Sequence, residues 1–328
     1  MERQKILITH NLSTGYPGFL LFEKLELSLF KGELVCFMGP NGVGKTTLIR
    51  TLCGLQSPIE GQVNFLDPVS SKIVDGQINQ LVAVVLTDRI TATQMSVYEL
   101  VTYGRYPYLG WDIRLKEKDK TIIQNAIDMV NIGYLADKKL YQLSDGQLQM
   151  AMIARALAQD TPLIILDEPT AHLDLNNRVE IMKLLRQLTR TIDKTVLLAT
   201  HDLTLALQTA DAIWLTGNDK NIIEGIPEDL VLNGSFDNIF QFKGFDLKTG
   251  NMLHEPYRNI EIQVTGEGYP FLWTRNALER NGYVIHPNKG RHTISIKQMG
   301  DRCEWIIDQT IPLNNLVDVL RYIQKPDT

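Results

Sequence analysis

The residues best suited to chemistry lie in Gly39-Pro40-Asn41-Gly42-Val43-Gly44-Lys45-Thr46, which fits the spacing G-x-x-x-x-G-K-[ST]. Glycines at this spacing let the backbone wrap a chain of phosphates, with successive N–H groups facing inward. Lys45 is long enough to reach β- and γ-phosphates. The Thr46 hydroxyl is placed to ligate Mg²⁺, and Thr47 continues the cradle. The motif needs a strand before it and a helix after it. Leu34–Met38 is a short apolar run of the buried parallel kind, and Thr47–Leu52 reads as a helix stopped at Gly54. That helix adds the partial positive charge of its N-terminus. The bland alternative is a Gly-rich turn that matches by accident, and it leaves Lys-Thr and both flanks unexplained.

A second group follows the apolar run Leu163-Ile164-Ile165-Leu166, which ends in Asp167-Glu168-Pro169-Thr170. In a chain that already has a phosphate loop, an acidic pair at a strand end is the expected other half of a nucleoside triphosphate site. Asp167 would hold Mg²⁺, directly or through water, and Glu168 would polarise the attacking water as general base. The alternative is an ordinary strand-end turn. Thr195–Ala199 is a further buried strand, ending at Thr200-His201-Asp202. A His there lies on the ligand edge of a doubly wound sheet, although a strand-end His taken alone is more often structural. Ser144 opens a helix that runs through Ala158 and, taken alone, is an N-cap. Tyr16, in the turn Thr14–Gly18, is either a flat surface for a base or a packed turn tyrosine.

These groups must be held by a chain of 328 residues, enough for one large or two smaller domains. Its charge, 33 − 38 = −5, gives no strong bias toward nucleic acid or a membrane surface. No window approaches the ~18 apolar residues of a spanning helix, and Ile6-Leu7-Ile8 is too short for a signal peptide. Cys36, Cys53 and Cys303 form neither a disulfide framework nor a metal spacing, so a reducing, cytosolic setting is expected. Any work at a membrane then needs a second chain to span it.

Along the chain, residues 5–12 and 22–30 read as strands, as do Gln62–Leu66 and 81–86, the last running into Thr87-Asp88-Arg89. From about 95 to 160 the pattern is helical. Ser96-Val97-Tyr98-Glu99 is a capping box, and apolar residues at 122, 123, 126, 127 and 130 give a helical period. Gly104–Trp111 is dense in aromatics around Arg105, which suits either a partner-binding surface or inward packing. An amphipathic helix is expected over 176–192, and short helices at Pro227–Leu232 and Ser235–Phe242. Beyond a boundary near 225–256, a strand at Ile260–Thr265, a helix at 270–280, strands at 283–286, 292–298 and 303–308, and a helix at 313–324 predict a βαβββα unit of ferredoxin-like size. Gly266-Glu267-Gly268 within it reads as a tight turn or, less plainly, a small-ligand loop.

Taken together, the phosphate loop, Leu143-Ser144-Asp145-Gly146-Gln147, Leu-Asp-Glu-Pro-Thr, Ala171-His172-Leu173-Asp174 and His201 resemble the ATP-binding cassette of ABC transporters. The resemblance covers about residues 4–225. It implies an α/β fold: a P-loop NTPase cassette over 1–225 with an antiparallel β subdomain and a helical subdomain at about 90–160. A linker with short helices at 226–255 and a small C-terminal α+β domain at 256–328 follow. It further implies Tyr16 as the adenine-stacking aromatic and Ser144, Gly146 and Gln147 as the signature. Asp174 would be the acidic residue after the Mg²⁺ site, and His201 the switch histidine near the γ-phosphate. ATP and Mg²⁺ are the implied cofactors, with Thr87 a further candidate oxygen for the metal. A head-to-tail homodimer is implied, in which each signature closes the partner's site.

Val97–Pro107 resembles more narrowly the ATPases of importers for iron–siderophore complexes, haem or vitamin B12. In these the segment touches a separate permease that receives cargo from a binding protein, at the cytoplasmic face of the membrane. Three departures stand out. Thr87-Asp88-Arg89 occupies the loop that usually carries Gln. Asp145 replaces the usual second Gly of the signature and is expected to point away from a γ-phosphate. The unit from about 256 is not part of the basic cassette. The competing reading, a soluble cassette acting on nucleic acid or the ribosome, is disfavoured by the single cassette and the negative charge.

Overall fold

The computed structural model describes residues 3–67, 70, 72–74, 76–87, 94–299 and 302–325. The chain divides into two compact units, 1–241 and 242–328. The division falls inside the stretch expected as linker.

The first unit opens with β1 (Lys5–Tyr16), β2 (Phe19–Leu25) and β3 (Ser28–Phe30), followed by β4 (Leu34–Met38), α1 (Lys45–Leu52) and β5 (Glu60–Phe65). Strands β2, β1 and β3 form an antiparallel sheet that β5 joins through β1. The single strand expected over 22–30 is two strands, interrupted at residues 26–27. Then come β6 (Val82–Val85), α2 (Val97–Thr102), α3 (Glu117–Met129), α4 (Asp145–Ala158), β7 (Leu163–Asp167), α5 (Leu175–Thr191), β8 (Thr195–Ala199), α6 (Leu203–Thr209), β9 (Ala212–Thr216) and β10 (Ile222–Gly225). The main sheet has the order β10-β9-β4-β8-β7-β6. All its pairs are parallel except that of β10, which closes one edge. Every residue of β4, β7, β8 and β9 is buried, as a parallel sheet covered on both faces requires.

That strand order decides the site. Strand β8 lies between β4 and β7, with β6 outside β7. Adjacent strands are ~4.8 Å apart. The carboxyl ends therefore present, side by side, the phosphate loop, His201, Asp167-Glu168 and Thr87. Beneath them Phe37 packs between Phe22 and Trp214, at ring separations of 6.3 and 6.2 Å, joining the two sheets in one apolar core.

Helices α2, α3 and α4 pack on one another as the helical subdomain. The Ser96–Glu99 capping box forms. Of the two readings of this aromatic segment, Arg105 itself follows the inward one. It is buried, donates from Nε to Asp119 at 3.0 Å and from Nη1 to the Ala158 carbonyl at 2.9 Å, and stacks on Tyr108. The first two contacts tie the turn 103–108 to α3 and α4, and the third is within the turn. The aromatics do face outward: Tyr103, Tyr106 and Tyr108 are exposed, and Trp111 entirely so.

The expected linker helices form as α7 (Pro227–Leu232) and α8 (Ser235–Phe240), but they belong to the first unit. Leu230 and Phe236 are buried, which anchors them there.

The second unit has β11 (Phe245–Asp246), β12 (Asn251–Met252), β13 (Ile260–Thr265), α9 (Gly268–Arg280), β14 (Tyr283–His286), β15 (His292–Met299), β16 (Arg302–Ile307), β17 (Ile311–Leu313) and α10 (Leu316–Ile323). Its five-stranded sheet runs β14-β13-β15-β16-β17. The fifth strand was missed: Asp308 and Gln309, both at positive φ, turn the chain tightly into β17, where the last helix was expected to begin. The Trp305 indole donates to Thr274 Oγ1 at 2.7 Å inside the core and fixes α9 to β16.

Burial pushes the Asp119 carboxyl up, but the Lys116 backbone N–H and Arg105 outweigh it and hold it below its ordinary value. A depressed carboxyl stabilises the fold above the unfolded value of about 3.9 and loses that stabilisation as pH falls through the folded value. Arg105→Ala leaves this carboxylate buried and unpaired. It is expected to cost about 3–5 kcal/mol at neutral pH in urea denaturation, with the deficit shrinking in acid. Trp111→Ala is expected to stay within about 0.5 kcal/mol of the native chain. A loss from Arg105→Ala no larger than that would show the buried pair to be dispensable.

Candidate active site

The phosphate loop leaves the carboxyl end of β4 and turns straight into α1. Two glycines are dictated by space and backbone. A Cβ on Gly39 would sit 2.5 Å from the Thr216 carbonyl at the end of β9. Gly44, the α1 N-cap, has φ +113°, and a Cβ there would meet Phe22 at 3.0 Å. Lys45 is buried, and its Nζ donates to the carbonyls of Gly39 and Pro40 at 2.8 and 3.0 Å. Burial pushes its pKa down, against the pull of Glu168 and Asp167.

A cleft of about 370 Å³ lies over this loop, lined by Tyr16, Phe19, Leu21, Asn41, Gly42, Gly44, Lys45, Thr46, Thr47 and Glu168. Most of the residues expected to hold a triphosphate therefore meet in one place. Val43 is buried beneath the loop. Tyr16 is half exposed, with its hydroxyl 3.4 Å from Thr47 Oγ1. Phe19 was overlooked. It pairs with Tyr16 across the Pro17-Gly18 turn, and Lys220 sits 4.7 Å from its ring centre. The two-residue turn was the available signal, because it makes its flanking residues neighbours.

Asp167 ends β7 and is 2% exposed, and neither carboxylate oxygen has a hydrogen-bond partner among the described residues. Burial raises its pKa, with Glu168 adding to the rise. The neighbouring Thr46 hydroxyl, Lys45 and Arg50 offset only part. A buried carboxylate left without donors, beside a threonine hydroxyl and a phosphate cradle, is the donor set of a hard divalent cation that keeps water and phosphate oxygens as its other ligands. The residues present fit Mg²⁺.

Glu168 has φ +49° although Pro169 follows it, a conformation that costs on the order of 1–3 kcal/mol. Its N–H donates to the Ala199 carbonyl at 2.9 Å, which fixes the strained residue to the end of β8. His201, on the next strand end, has Nδ1 3.5 Å from Glu168 Oε2. Arg178 braces this edge from α5, donating to the Leu173 carbonyl at 2.8 Å and pairing with Asp202 at 3.3 Å.

A second cleft, of about 110 Å³, lies on the other side of Glu168, between the sheet edge and α4. Thr87, Asp145, Gln149, Asp167, Glu168 and His172 are among its walls. Asp88 and Arg89 fall outside the described residues.

The other expected residues stand apart from the phosphate cleft. Ser144 caps α4, accepting from the Gln147 N–H at 3.3 Å while Gln147 Oε1 accepts from the Ser144 N–H at 3.1 Å. Ser144 is exposed, whereas Gly146 is buried. A Cβ on Gly146 would meet the Asn177 side chain at 2.7 Å. Asp174 caps α5 and holds that Asn177 carboxamide at 2.9 Å.

Residues 22–171 match the ABC transporter family profile, and residues 259–324 match the iron ABC transporter C-terminal domain. An ABC transporter ATP-binding protein of Methanocaldococcus jannaschii is 37% identical over 289 residues, covering 85% of this chain and 98% of that protein. The petrobactin import ATP-binding protein of Bacillus anthracis is 35% identical, over 73% of this chain and 88% of its own length. Among solved structures, a metal-chelate type ABC transporter in an inward-facing conformation superposes with a TM-score of 0.64 at 29% identity, covering 73% of this chain and 89% of that one.

Two outcomes test the site. Lys45→Ala is expected to weaken ATP binding by about tenfold to a hundredfold, from loss of a charge-assisted contact, and unchanged affinity would refute the phosphate cradle. Asp167→Asn is expected to stabilise the nucleotide-free chain. A carboxyl whose folded pKa is raised opposes folding wherever it is ionised, so the gain is present at pH 7 and vanishes in acid, below the ordinary carboxylate value. It should amount to about 1 kcal/mol or more. A lower thermal midpoint for Asp167→Asn at pH 7 would show that the carboxylate is satisfied in the fold.

Proposed function

The chain belongs to the ATP-binding proteins of ABC transporters, and we propose that it is the ATPase subunit of an importer for an iron–siderophore complex, with haem and cobalamin as the other cargoes of that class. The observation that carries the ATPase chemistry is the convergence of Lys45, Thr46 and Glu168 on one cleft, with Asp167 directly behind it. The cargo class is supported by the match of 259–324 to an iron transporter C-terminal domain and by relatives named for siderophore import.

Lys45 and the loop N–H groups bind and orient the β- and γ-phosphates. Thr46 and Asp167 would hold Mg²⁺, with Thr87 as a further oxygen, and the ion supplies charge neutralisation at the phosphates. Glu168 accepts the proton of the attacking water as its oxygen bonds to the γ-phosphorus and the bond to the β-phosphate oxygen breaks. His201 stands 3.5 Å from Glu168 and would act with it at the γ-phosphate. Tyr16 offers its face to adenine.

The outward-facing first turn of α4, with Ser144 at its tip, suits the γ-phosphate held by a second copy arranged head to tail. Gly146, Gln147 and, across the junction, Asp174 complete that contact. Asn177 packs on Gly146 in the single chain and must give way as the partner's nucleotide arrives. No helix among the described residues is long and apolar enough to cross a membrane. On this reading the chain works through a separate permease at the cytoplasmic face, fed by a substrate-binding protein. Exposed Tyr103, Tyr106 and Trp111 suit the permease contact, whereas Arg105 supports them from inside.

Glu168→Gln is expected to bind ATP, to lose hydrolysis by about a hundredfold or more and to accumulate as a dimer in gel filtration with ATP. Native turnover would remove Glu168 as base. Replacing Tyr106 and Trp111 together by Ala should abolish co-purification with a membrane permease while leaving free-subunit turnover intact. Stimulation of turnover by RNA instead of by permease in vesicles would overturn the importer reading.

A further inference from the structure

Glu168 and His201 stand on two neighbouring loops at the carboxyl edge of the sheet, and their contact is only as fixed as those loops. His201 Nδ1 lies 3.5 Å from Glu168 Oε2, and the ring makes no other hydrogen bond or ion pair among the described residues. Its place is therefore set by the backbone on either side of it. On one side Thr200 is buried, and its N–H donates to the Phe37 carbonyl at 3.1 Å. On the other side is Asp202. Its N–H donates to Thr200 Oγ1 at 3.0 Å, and its Oδ1 accepts from the Leu205 N–H at 3.1 Å as the cap of α6. The remaining oxygen, Oδ2, accepts from Arg178 Nη1 at 3.3 Å. The same guanidinium donates from Nε to the Leu173 carbonyl at 2.8 Å. Leu173 ends the turn that begins at Glu168. Glu168 and His172 in that turn have φ +49° and +64°, a conformation that such residues hold only where their surroundings over-determine it. The two loops are thus joined twice. At the base the Glu168 N–H donates to the Ala199 carbonyl at 2.9 Å, and at the far end Arg178 bonds to both loops. Along the chain, the Glu168–His201 contact lies between these links.

We propose that Arg178 is the positioning residue for His201, setting its separation from Glu168 by holding Asp202 and the Leu173 carbonyl on one fork. The guanidinium suits this task because it is planar and always charged, and its Nε and Nη1 donors stand at a fixed angle. A lysine ammonium is a point charge on a flexible stem and has no such fork to fix the spacing of two partners. Arg178 stands one turn into α5 and is not among the residues that line the phosphate cleft. It therefore acts through His201 and not on ATP itself. A displacement of about 1 Å in a reacting arrangement costs up to about a hundredfold in rate, so a brace at this distance is enough to govern turnover. The inference rests on His201 acting with Glu168 at the γ-phosphate.

The test combines steady-state ATP hydrolysis with spectroscopy of the histidine ring, both on the full chain. Arg178→Met keeps the stem of the side chain and removes the fork. It is expected to lower kcat by about tenfold, with KM for ATP within about twofold and the thermal midpoint within about 3 °C of native. Arg178→Lys is expected to fall between that variant and the native chain. Asp202→Asn keeps the α6 cap and removes the charge that Arg178 holds. It is expected to lower kcat as well, and to add little when combined with Arg178→Met, because both changes break one contact. The chain has 6 His, so with ¹³C-labelled histidine the His201 signal is the one lost in His201→Ala. In the nucleotide-free chain that signal is expected to move in Arg178→Met and in Asp202→Asn. Native kcat in Arg178→Met overturns the proposal. So does a fall in kcat matched by a rise in KM or by a large loss of thermal stability, as do losses that multiply in the double variant or a His201 signal that stays in place. If Arg178→Met does not fold, Asp202→Asn decides, and native kcat or an unmoved His201 signal there overturns the proposal. Native turnover in His201→Ala would instead remove His201 from the reaction, so the failure of the underlying reading is distinguishable.

Discussion

The structure depends on a carboxylate that the fold does not satisfy. Asp167 ends a fully buried strand, and both its oxygens are out of solvent, with the neighbouring Thr46 hydroxyl offsetting only part of the cost of burial. Such a group opposes folding by about 1–3 kcal/mol or more. Lys45, buried a short distance away, spends its donors on two loop carbonyls and is itself pushed toward neutrality. Both costs are relieved by one event. A triphosphate draws the ammonium out to the phosphates, and a divalent cation neutralises the carboxylate. Ligand binding then adds its own free energy to the stability of the chain. The large apolar core around Phe37 and Trp214 is what tolerates the unsatisfied pair in the absence of ligand.

The same economy explains the backbone at Glu168. A left-handed residue ahead of a proline persists only where its surroundings over-determine it. Here the N–H is held by Ala199 on the neighbouring strand, and the carbonyl accepts from Ala171 at 3.0 Å. The strained geometry turns the carboxylate out of the strand line, so that it borders the phosphate cleft on one side and the subdomain cleft on the other. A relaxed extended residue would direct its side chain into the sheet's own covering layer.

How much of this was legible in the chain differs by kind of residue. The phosphate loop, the Asp-Glu pair and the strand-end His were readable because each follows an uninterrupted apolar run, and a parallel sheet puts such ends on one edge. The order in which they stand along that edge was not readable. It follows from β8 inserting between β4 and β7, a non-local pairing that no local pattern encodes. The inward placement of Arg105 was not readable for a related reason. Its partners Asp119 and Ala158 are distant in sequence, and an Arg among tyrosines looks the same whether it is a surface cation or a buried brace. Strand β17 was lost because a turn built on Asp308 and Gln309 lacks the glycine that usually announces a positive φ. Phe19 carries no motif, and only the two-residue turn that pairs it with Tyr16 points to it.

The two clefts also differ in what builds their walls. The phosphate cleft is built from the phosphate loop, the start of α1, the sheet edge and the antiparallel strands, which pack on one apolar core. The other cleft has one wall on the sheet edge and one on α4, which packs chiefly against α2 and α3. Arg105 joins those helices to the turn that carries the exposed tyrosines. α4 is tied to edge strand β6, where Arg155 donates to the Val84 carbonyl at 2.8 Å and Gln159 to the Val82 carbonyl at 3.0 Å, and at its start Asn177 of α5, held by the α5 cap, lies against Gly146. Binding is thus assigned to the side of Glu168 that shares the apolar core.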